Sequence, residues 1–316
     1  MKILANDGIS KSGIKALEAA GHEVMMVNVA QEQLENFINK HKIEALLVRS
    51  ATQVRKNLID NCPTLKIIGR GGVGMDNIDV SYAKEKGLEV INTPSASSSS
   101  VAELVFGHLF GGVRYLHDSN RNMPLDGDSH FKDLKKSYSA GSELRGKTLG
   151  IIGFGKIGEE VAKIALGCGM KVISTRQKSI ESGVTLTFFN GQKITLPIEN
   201  VSMEQLLSDS DFITLHVPAS AGRIIGKEEI SKMKDGVGII NTSRGGSVSE
   251  EALLDALEAG KVSFAALDVY EGEPSPSIRT LMNHKISLSP HIGAATLEAQ
   301  DRIGTELATQ IINLSK

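Results

Sequence analysis

The sequence is poor in cysteine and carries almost no excess charge. Its two cysteines, Cys62 and Cys168, lie in no C-x-x-C motif and beside no paired histidine motif. We therefore expect no metal site and no disulfide framework, and we interpret both cysteines as small apolar side chains. The formal net charge of −2 supplies no basic field, which argues against nucleic acid and anionic membranes as partners.

Long apolar runs are also missing. No uncharged stretch approaches the roughly 20 apolar residues that span a bilayer, and no apolar region ahead of a cleavage site follows Met1. From these absences we expect a soluble, cytoplasmic protein with reduced thiols. A chain of 316 residues is long enough for two domains, each with a core of its own.

What the sequence does contain is a glycine-rich turn between a strand and a helix. Residues 149–152 form a short apolar run typical of a buried strand, and residues 159–165 have helical spacing. Between them, Gly153 permits a tight turn, Gly155 lets the backbone approach a pyrophosphate, and Gly158 lets the helix pack on the strand. This arrangement predicts a dinucleotide site at a helix N-terminus. A purely structural turn is the alternative.

Strand-like and helix-like segments alternate along both halves of the chain. In residues 1–92, where the second strand is predicted over residues 23–29, this alternation is typical of a parallel sheet covered by helices. Near residue 146 the pattern starts again. We therefore predict an α/β protein with two similar Rossmann-like or flavodoxin-like lobes, parallel sheets and a cleft between the lobes.

Three other segments stand apart from this alternation. Two β-rich runs joined by Asn190 and Gly191 predict an inserted surface hairpin, because both turn residues tolerate positive φ. Residues 101–115 predict a long, mostly apolar helix that is buried in a core or at an oligomer interface. Residues 121–139 are polar and predict an irregular surface excursion.

Charged side chains follow several of the predicted strands. Arg49 and Arg70 indicate an anion site beyond two strands of the first half, although ordinary solvated arginines are the alternative. If the dinucleotide predicted at residues 153–158 is a nicotinamide cofactor, hydride transfer beside it also needs an acid or base and a cation that polarises the substrate. Histidine titrates near neutrality, and His291 is the candidate acid and base, with Glu273 as its carboxylate partner. Arg244 is the candidate cation, and all three are expected at one edge of a sheet.

These residues lie in blocks that one known family contains in the same order. The blocks are residues 69–79, 149–158, 215–218, 241–246, 266–270 and 290–293. With them the chain resembles the D-isomer-specific 2-hydroxyacid dehydrogenases over nearly its whole length, and most of all the D-3-phosphoglycerate dehydrogenases. The resemblance implies an NAD(P)-dependent oxidoreductase. Residues 1–92 and 292–316 would form its substrate-binding domain, and residues 93–291 its nucleotide-binding Rossmann domain.

The resemblance also implies roles for individual residues. Arg244 would bind the substrate carboxylate and keto oxygen, and His291 would donate and accept the proton with Glu273 as its partner. Backbone amides around Gly72 and Val73 would hold the substrate carboxylate. The full substrate-binding set would be Arg49, Ser50, Arg70, Gly72 and Val73, with the two arginines near a substrate phosphate. The cofactor-binding set would be Gly153, Phe154, Gly155, Lys156, Ile157, Gly158, Thr175, Arg176, His216, Val217, Pro218, Thr242, Ser243, Asp268 and Gly293, with Asp268 meeting the nicotinamide amide.

The chain departs from the family at the end of the second nucleotide-domain strand. An acidic residue usually binds the ribose 2′-hydroxyl there, whereas this chain has Arg176. Arg176 would either accept the 2′-phosphate of NADP or stack on the adenine of NAD, and both alternatives stay open. The hairpin near Asn190 is unusual for the family. A serine-sensing C-terminal domain, which longer members carry, is not expected in a chain that ends at Lys316.

The activity favoured by these features is the oxidation of 3-phospho-D-glycerate to 3-phosphohydroxypyruvate, the first step of serine biosynthesis, because Arg49 and Arg70 would bind the phosphate. A glyoxylate or hydroxypyruvate reductase is the first alternative, and it would explain Arg176, because such enzymes often use NADPH. A catalytically silent, nucleotide-sensing binding protein is the second, although the set of Arg244, Glu273 and His291 argues against it. The family's long helix, here residues 101–115, implies a homodimer.

Overall fold

The computed structural model describes residues 1–175 and 182–315. The chain divides into two compact units, of which the first comprises Met1–Ser100 and Ala294–Lys316 and the second Val101–Gly293. The boundaries between the two units therefore follow residues 100 and 293, whereas the sequence predicted boundaries after residues 92 and 291. Each unit contains a largely parallel sheet covered by helices, which confirms the predicted α/β class.

The first unit is built on a five-stranded parallel sheet of order β2-β1-β3-β4-β5. Its strands are β1 Lys2–Ala5, β2 Glu23–Met25, β3 Ala45–Val48, β4 Ile67–Arg70 and β5 Glu89–Asn92. Its helices are α1 Lys11–Ala19, α2 Gln31–His41, α3 Lys56–Asn61, α4 Val80–Glu85 and the C-terminal helix Leu297–Leu314. Apolar side chains fill both faces of the sheet, so that alternate residues of β3 enter different cores.

Close glycine contacts explain how the C-terminal helix packs in the first unit. A Cβ atom on Gly13 of α1 would lie 2.7 Å from the carbonyl oxygen of Gly304, and one on Gly304 would overlap Ser10 Oγ. Ser10 is the N-cap of α1, because its side chain accepts a hydrogen bond from the Gly13 amide. The absence of side chains at these two positions therefore lets α1 and the C-terminal helix approach each other closely.

The prediction of a strand over residues 23–29 is wrong beyond Met25. Val29 does not extend the ladder, because its backbone pairs with a side chain instead. Asn6 Oδ1 accepts from the Val29 amide at 2.8 Å, and Asn6 Nδ2 donates to the Val29 carbonyl at 3.2 Å. A side-chain amide thus replaces the strand partner that the alternation of residues had suggested.

The second unit contains an eight-stranded sheet of order β13-β12-β11-β10-β6-β7-β9-β8, parallel except for β8. Its strands are β6 Thr148–Ile152, β7 Lys171–Thr175, β8 Ser182–Thr187, β9 Lys193–Asn200, β10 Phe212–Leu215, β11 Val237–Asn241, β12 Val262–Leu267 and β13 Ile286–Leu288. Its helices are α5 Ser98–Val113, α6 Leu116–Asp126, α7 Phe131–Ser137, α8 Lys156–Gly167, α9 Met203–Asp209, α10 Lys227–Lys232, α11 Glu250–Glu258 and α12 Ile278–Leu281, besides a 3-10 turn at Ala219–Ala221.

The hairpin predicted around Asn190 and Gly191 is confirmed, since β8 and β9 pair antiparallel. It is not, however, a separate surface insertion. β9 also pairs in parallel with β7, matching Ile173 to Glu199, so the hairpin extends the edge of the sheet. Sequence patterns show the turn of a hairpin and say nothing about which distant strand accepts its open side.

The segment between α5 and β6 differs from its prediction. The apolar helix predicted over residues 101–115 begins earlier, at Ser98, and ends at Val113. Residues 121–139, predicted to be irregular, include most of α6 and all of α7. The Tyr138 hydroxyl donates to Asp118 at 2.8 Å and accepts from Asn122 Nδ2 at 2.8 Å. These contacts hold the end of α7 against α6. Polar tertiary contacts of this kind stabilise a helix without a periodic apolar pattern, so the sequence did not predict the two helices.

Two predicted absences can be compared with the described residues. Every helix within residues 1–175 and 182–315 is too short or too polar to cross a membrane. The same residues contain no group of three or more His, Cys, Asp and Glu side chains placed to hold a metal ion. Cys62 is buried among apolar side chains, and burial raises the pKa of its thiol to about 11.

Candidate active site

Three neighbouring strands of the second unit end beside the residues predicted to be catalytic. β11, β12 and β13 are adjacent and parallel, so their carboxyl ends lie at the same edge of the sheet. Arg244 follows β11, Glu273 follows β12, and His291 follows β13. The fold therefore brings together at one edge three residues that are up to 47 positions apart in sequence.

His291 and Glu273 form a hydrogen-bonded pair. The His291 Nδ1 atom lies 2.9 Å from Glu273 Oε2, and the other carboxylate oxygen, Oε1, accepts from the Tyr270 amide at 2.9 Å. An ionised carboxylate can only accept, so Nδ1 carries the hydrogen of this bond and Nε2 is left for a substrate. The two side chains are 49% and 35% exposed, which leaves the imidazole accessible to a small ligand.

Asp268 holds the backbone that carries His291. Its carboxylate is 1% exposed. Oδ1 accepts from Ser289 Oγ at 2.6 Å and from the Ile292 amide at 2.8 Å, while Oδ2 accepts from the Gly293 amide at 2.9 Å. His291 itself has a φ of 55°, which a non-glycine residue adopts only when its surroundings enforce it. The sequence predicted that Asp268 and Gly293 bind the cofactor, and it did not predict the hydrogen bond between the Gly293 amide and the Asp268 carboxylate.

The loop that presents Arg244 is fixed by an asparagine and a glycine. Asn241 Oδ1 accepts from the amide and the hydroxyl of Ser243, and Asn241 Nδ2 donates to the Arg244 carbonyl at 2.9 Å. Arg244 Nη1 donates to the Ser243 carbonyl at 2.7 Å. A Cβ atom on Gly245 would overlap the carbonyl oxygen of Tyr270. Gly245 therefore lets this loop rest directly on the turn whose amide binds Glu273.

A buried carboxylate that sequence reasoning missed supports the same turn. Glu250, 7% exposed, lies at the start of α11. Its Oε1 accepts from the Glu271 amide at 2.5 Å and its Oε2 from the Thr280 hydroxyl at 2.6 Å. In the sequence, Glu250 directly follows the N-cap Ser249, which is an ordinary place for an acidic residue. No local signal could therefore have shown its role.

The glycine turn after β6 has the geometry of a phosphate cradle. Gly153 has a φ of 90°, and a Cβ atom there would lie 2.5 Å from the His216 carbonyl oxygen. A Cβ atom on Gly158 would lie 3.0 Å from the Gly153 carbonyl oxygen, whereas nothing lies within 4 Å of one on Gly155. Gly155 thus leaves open space in front of the first amides of α8, where a pyrophosphate fits.

The predicted cofactor-binding side chains around this turn differ in how accessible they are to a ligand. Phe154 is buried in the core, Lys156 pairs with Glu159 at 3.3 Å, and Ile157 is partly buried. Thr175 ends β7, and its carbonyl accepts from the Gly153 amide at 3.2 Å. A cofactor would therefore meet mainly backbone here. Arg176, on which the prediction of NADP depends, lies outside the described residues.

Two buried polar atoms at the neighbouring strand ends also fit a bound nucleotide. Among residues 1–175 and 182–315, His216 Nδ1 and Thr242 Oγ1 are buried without a hydrogen-bond partner. His216 Nε2 lies 3.1 Å from Thr214 Oγ1, and burial lowers the pKa of His216 to about 3. The imidazole is therefore neutral, and its Nδ1 is available to a ligand. Of the other predicted cofactor residues nearby, Val217 is partly buried, Pro218 is exposed and Ser243 is buried.

The predicted substrate-binding residues lie in the first unit at the ends of β3 and β4. Arg70 ends β4 opposite Val48, and a Cβ atom on Gly72 would overlap the Arg70 guanidinium. The Arg49 amide donates to Asp7 Oδ2 at 2.6 Å. Gly72 has a φ of 146°, which favours glycine.

The edge around Arg49 is open. A cavity of about 520 Å³ is lined there by Asp7, Asn28, Arg49 and Ser50, among others. Val73 is 38% exposed, and its carbonyl accepts from Asn92 Nδ2 at 2.9 Å. The first unit thus presents two guanidinium groups and a glycine-rich loop at its own strand ends.

Comparisons with known proteins show which proteins this chain is similar to. The profile of the family described as "D-isomer specific 2-hydroxyacid dehydrogenase, NAD binding domain" matches residues 106–293. A hydroxypyruvate reductase of Thermotoga maritima is 43% identical over 98% of this chain and 97% of its own length. A D-3-phosphoglycerate dehydrogenase of Archaeoglobus fulgidus is 38% identical over 100% of this chain, which spans 58% of that relative. The crystal structure of a glyoxylate reductase from Paecilomyes thermophila superposes with a TM-score of 0.83 at 30% identity, covering 98% of this chain and 93% of that one.

Proposed function

Since the chain belongs to the D-isomer specific 2-hydroxyacid dehydrogenases, we propose that it reduces hydroxypyruvate and glyoxylate to the corresponding D-2-hydroxy acids. It is an NAD(P)-dependent enzyme of that family. The observation that carries the choice of substrate is the 43% identity to a hydroxypyruvate reductase. The identity to the A. fulgidus D-3-phosphoglycerate dehydrogenase is lower, at 38%.

The proposed chemistry uses the three residues at the carboxyl ends of β11, β12 and β13. When bound, a reduced nicotinamide cofactor would supply a hydride for C2 of the 2-oxo acid and would itself be oxidised. Arg244 would bind the substrate carboxylate and polarise the keto oxygen, which gains negative charge as the hydride arrives. His291 would donate a proton from Nε2 to that oxygen. Glu273 would keep the hydrogen on Nδ1 and stabilise the positive imidazolium that precedes the transfer. One hydride and one proton convert the keto acid to the hydroxy acid.

The cofactor would lie along the glycine turn and the adjoining strand ends. The amides before and within the first turn of α8 would bind the pyrophosphate beside Gly155, and His216 and Thr242 would supply polar atoms next to it. Arg176 stands where an acidic residue would reject a 2′-phosphate, so we propose that NADPH is accepted.

The experiment is a steady-state assay that crosses NADH and NADPH with hydroxypyruvate, glyoxylate and 3-phosphohydroxypyruvate. The proposal expects the highest kcat/KM for the two unphosphorylated acids, and turnover with NADPH. A higher kcat/KM for 3-phosphohydroxypyruvate would overturn the choice of substrate. No turnover with NADPH would overturn the choice of cofactor.

Phosphoglycerate oxidation is the second candidate, and Arg49 and Arg70 favour it. Two guanidinium groups at neighbouring strand ends are suited to a phosphate dianion, and the A. fulgidus relative is named for that activity. The same assay separates the two candidates, because the second requires the phosphorylated acid to be the better substrate.

We also propose that the enzyme is a homodimer. In the second unit, α5, α6 and α7 expose Phe110, Leu116, Met123, Leu125 and Phe131 by 42% to 73%, and apolar groups of this kind mark interfaces. Light scattering on the purified protein should give twice the chain mass of 33.8 kDa. A mass of one chain would contradict the dimer.

A further inference from the structure

A buried histidine on α5 connects to the loop that carries His291. His108 is 6% exposed. Its Nδ1 lies 2.8 Å from Ser287 Oγ and its Nε2 lies 2.9 Å from Ser289 Oγ. Ser287 belongs to β13, and Ser289 is two residues before His291. The proposed reaction assigns no role to His108.

The direction of each hydrogen bond in this group follows from the Asp268 carboxylate. Ser289 Oγ lies 2.6 Å from Asp268 Oδ1, and an ionised carboxylate only accepts, so the Ser289 hydroxyl donates its single hydrogen there. The Ser289 oxygen is then left as the acceptor for His108, whose Nε2 must carry a hydrogen. In a neutral ring Nδ1 is the acceptor, and the Ser287 hydroxyl donates to it.

The surroundings of the ring keep it neutral. Burial is the largest influence and lowers the pKa of His108. Two titratable groups face the ring: the Asp268 carboxylate after β12 raises this pKa, and the His117 imidazole on α6 lowers it. When the ring is neutral, Ser287 donates to His108, His108 donates to Ser289, and Ser289 donates to Asp268. These three hydrogen bonds run in the same direction, and bonds aligned in this way strengthen one another.

We propose that His108, as the neutral Nε2–H tautomer, is a positioning residue for His291. It acts through Ser289 and Asp268. The remaining acceptor sites of Asp268 hold the amides of Ile292 and Gly293 at 2.8 and 2.9 Å. His291 lies between Ser289 and these amides, so the chain of bonds holds its backbone from both sides. That backbone has a φ of 55°, a conformation that relaxes unless its neighbours hold it.

The kinetic part of this inference rests on the proposed role of His291, whereas the tautomer does not. The first experiment therefore observes the ring directly, by NMR of the full chain labelled with ¹⁵N-histidine. The His108 signals are assigned by their loss in His108→Gln. We expect an Nε2–H ring that does not titrate between about pH 5.5 and 8, where free histidine does. An Nδ1–H ring, or a doubly protonated one, would overturn the proposal.

The second experiment measures reduction of hydroxypyruvate by the variants. His108→Leu removes the donor to Ser289 and should lower kcat about 10-fold, the scale of a small misplacement of a reacting group, with KM for the cofactor within about twofold. His108→Gln should recover activity to within about threefold, because a carboxamide can donate from the same place. His130→Leu is the matched control: its exposed ring lies 3.0 Å from the neighbouring Ser129 hydroxyl, and kcat should not change.

A double-mutant cycle separates positioning from general packing. If His108 acts through Ser289, then His108→Leu should cause no further loss of kcat in a Ser289→Ala background. Losses that multiply would mean that His108 only packs α5, and would overturn the proposal. A protein that turns over no 2-oxo acid would contradict the proposed function, but the NMR result would still decide the tautomer.

Discussion

The strand ends of the two units are built differently. In the second unit, buried side chains fix the loops after β11, β12 and β13: Asn241 holds the Arg244 loop, Glu250 the Glu271 turn and Asp268 the His291 loop. In the first unit, the ends of β3 and β4 carry guanidinium groups beside glycines and an open cavity. Buried side chains thus hold one edge in place, as the proposed proton transfer requires, whereas the other edge is open to a ligand.

The largest expected effect is at the fixed edge. His291→Ala should lower kcat about 100-fold or more, the scale of removing a general acid or base. Fluorescence titration should show unchanged NADPH affinity, because His291 is assigned to the substrate and the glycine turn to the cofactor pyrophosphate. A loss confined to KM would contradict the assignment.

The next effect tests whether the fixed edge depends on close packing of its loops. Gly245→Ala places a Cβ atom against the Tyr270 carbonyl oxygen, and overpacking of this kind costs about 1–3 kcal/mol. We expect a lower free energy of unfolding in urea and a kcat at least about 10-fold lower, because the Arg244 loop must move away from the Glu273 turn. Gly167→Ala, at an open helix end, is the control. Wild-type activity in Gly245→Ala would show that the contact is dispensable.

A smaller and different effect is expected at the open edge. Arg49→Ala should raise KM for 3-phosphohydroxypyruvate about 10-fold, the scale of one charged hydrogen bond, and leave kcat and the KM for hydroxypyruvate within about twofold. Arg55→Ala, which removes an exposed arginine paired with Asp79 at 3.0 Å, should change neither constant. A large fall in kcat for Arg49→Ala would erase the distinction between the two edges.

The last effect is on stability rather than on activity, and it concerns pH and the imidazole of His216 in the second unit. The pKa of His216 is about 3 in the folded protein, below the ordinary value of roughly 6.5. The unfolded chain therefore binds a proton first, and the stability from neutral His216 is complete above about pH 6.5 and is lost as the pH falls toward 3. We expect wild type to lose up to about 1 kcal/mol per pH unit more than His216→Gln over this window. Parallel urea-unfolding profiles would contradict the burial of this ring.

Much of this arrangement could be predicted from the sequence, because strand ends and glycine turns are local patterns. Apolar runs placed Arg244, Glu273 and His291 after strands that the structure shows to be neighbours. The buried side chains that hold the loops of these three residues in place could not be predicted. His108 meets Ser287 across 179 positions, and Glu250 looks like an ordinary helix-start residue. Such partners are selected by tertiary packing, which leaves no period in the sequence.

In the proposed mechanism, Glu273 acts on the reaction only through His291. The most direct test is the kcat of Glu273→Ala, His291→Ala and the double variant with hydroxypyruvate and NADPH. We predict that the double variant is no slower than His291→Ala alone, because Glu273 has nothing to assist once the imidazole is gone. Two losses that multiply in the double variant would contradict it.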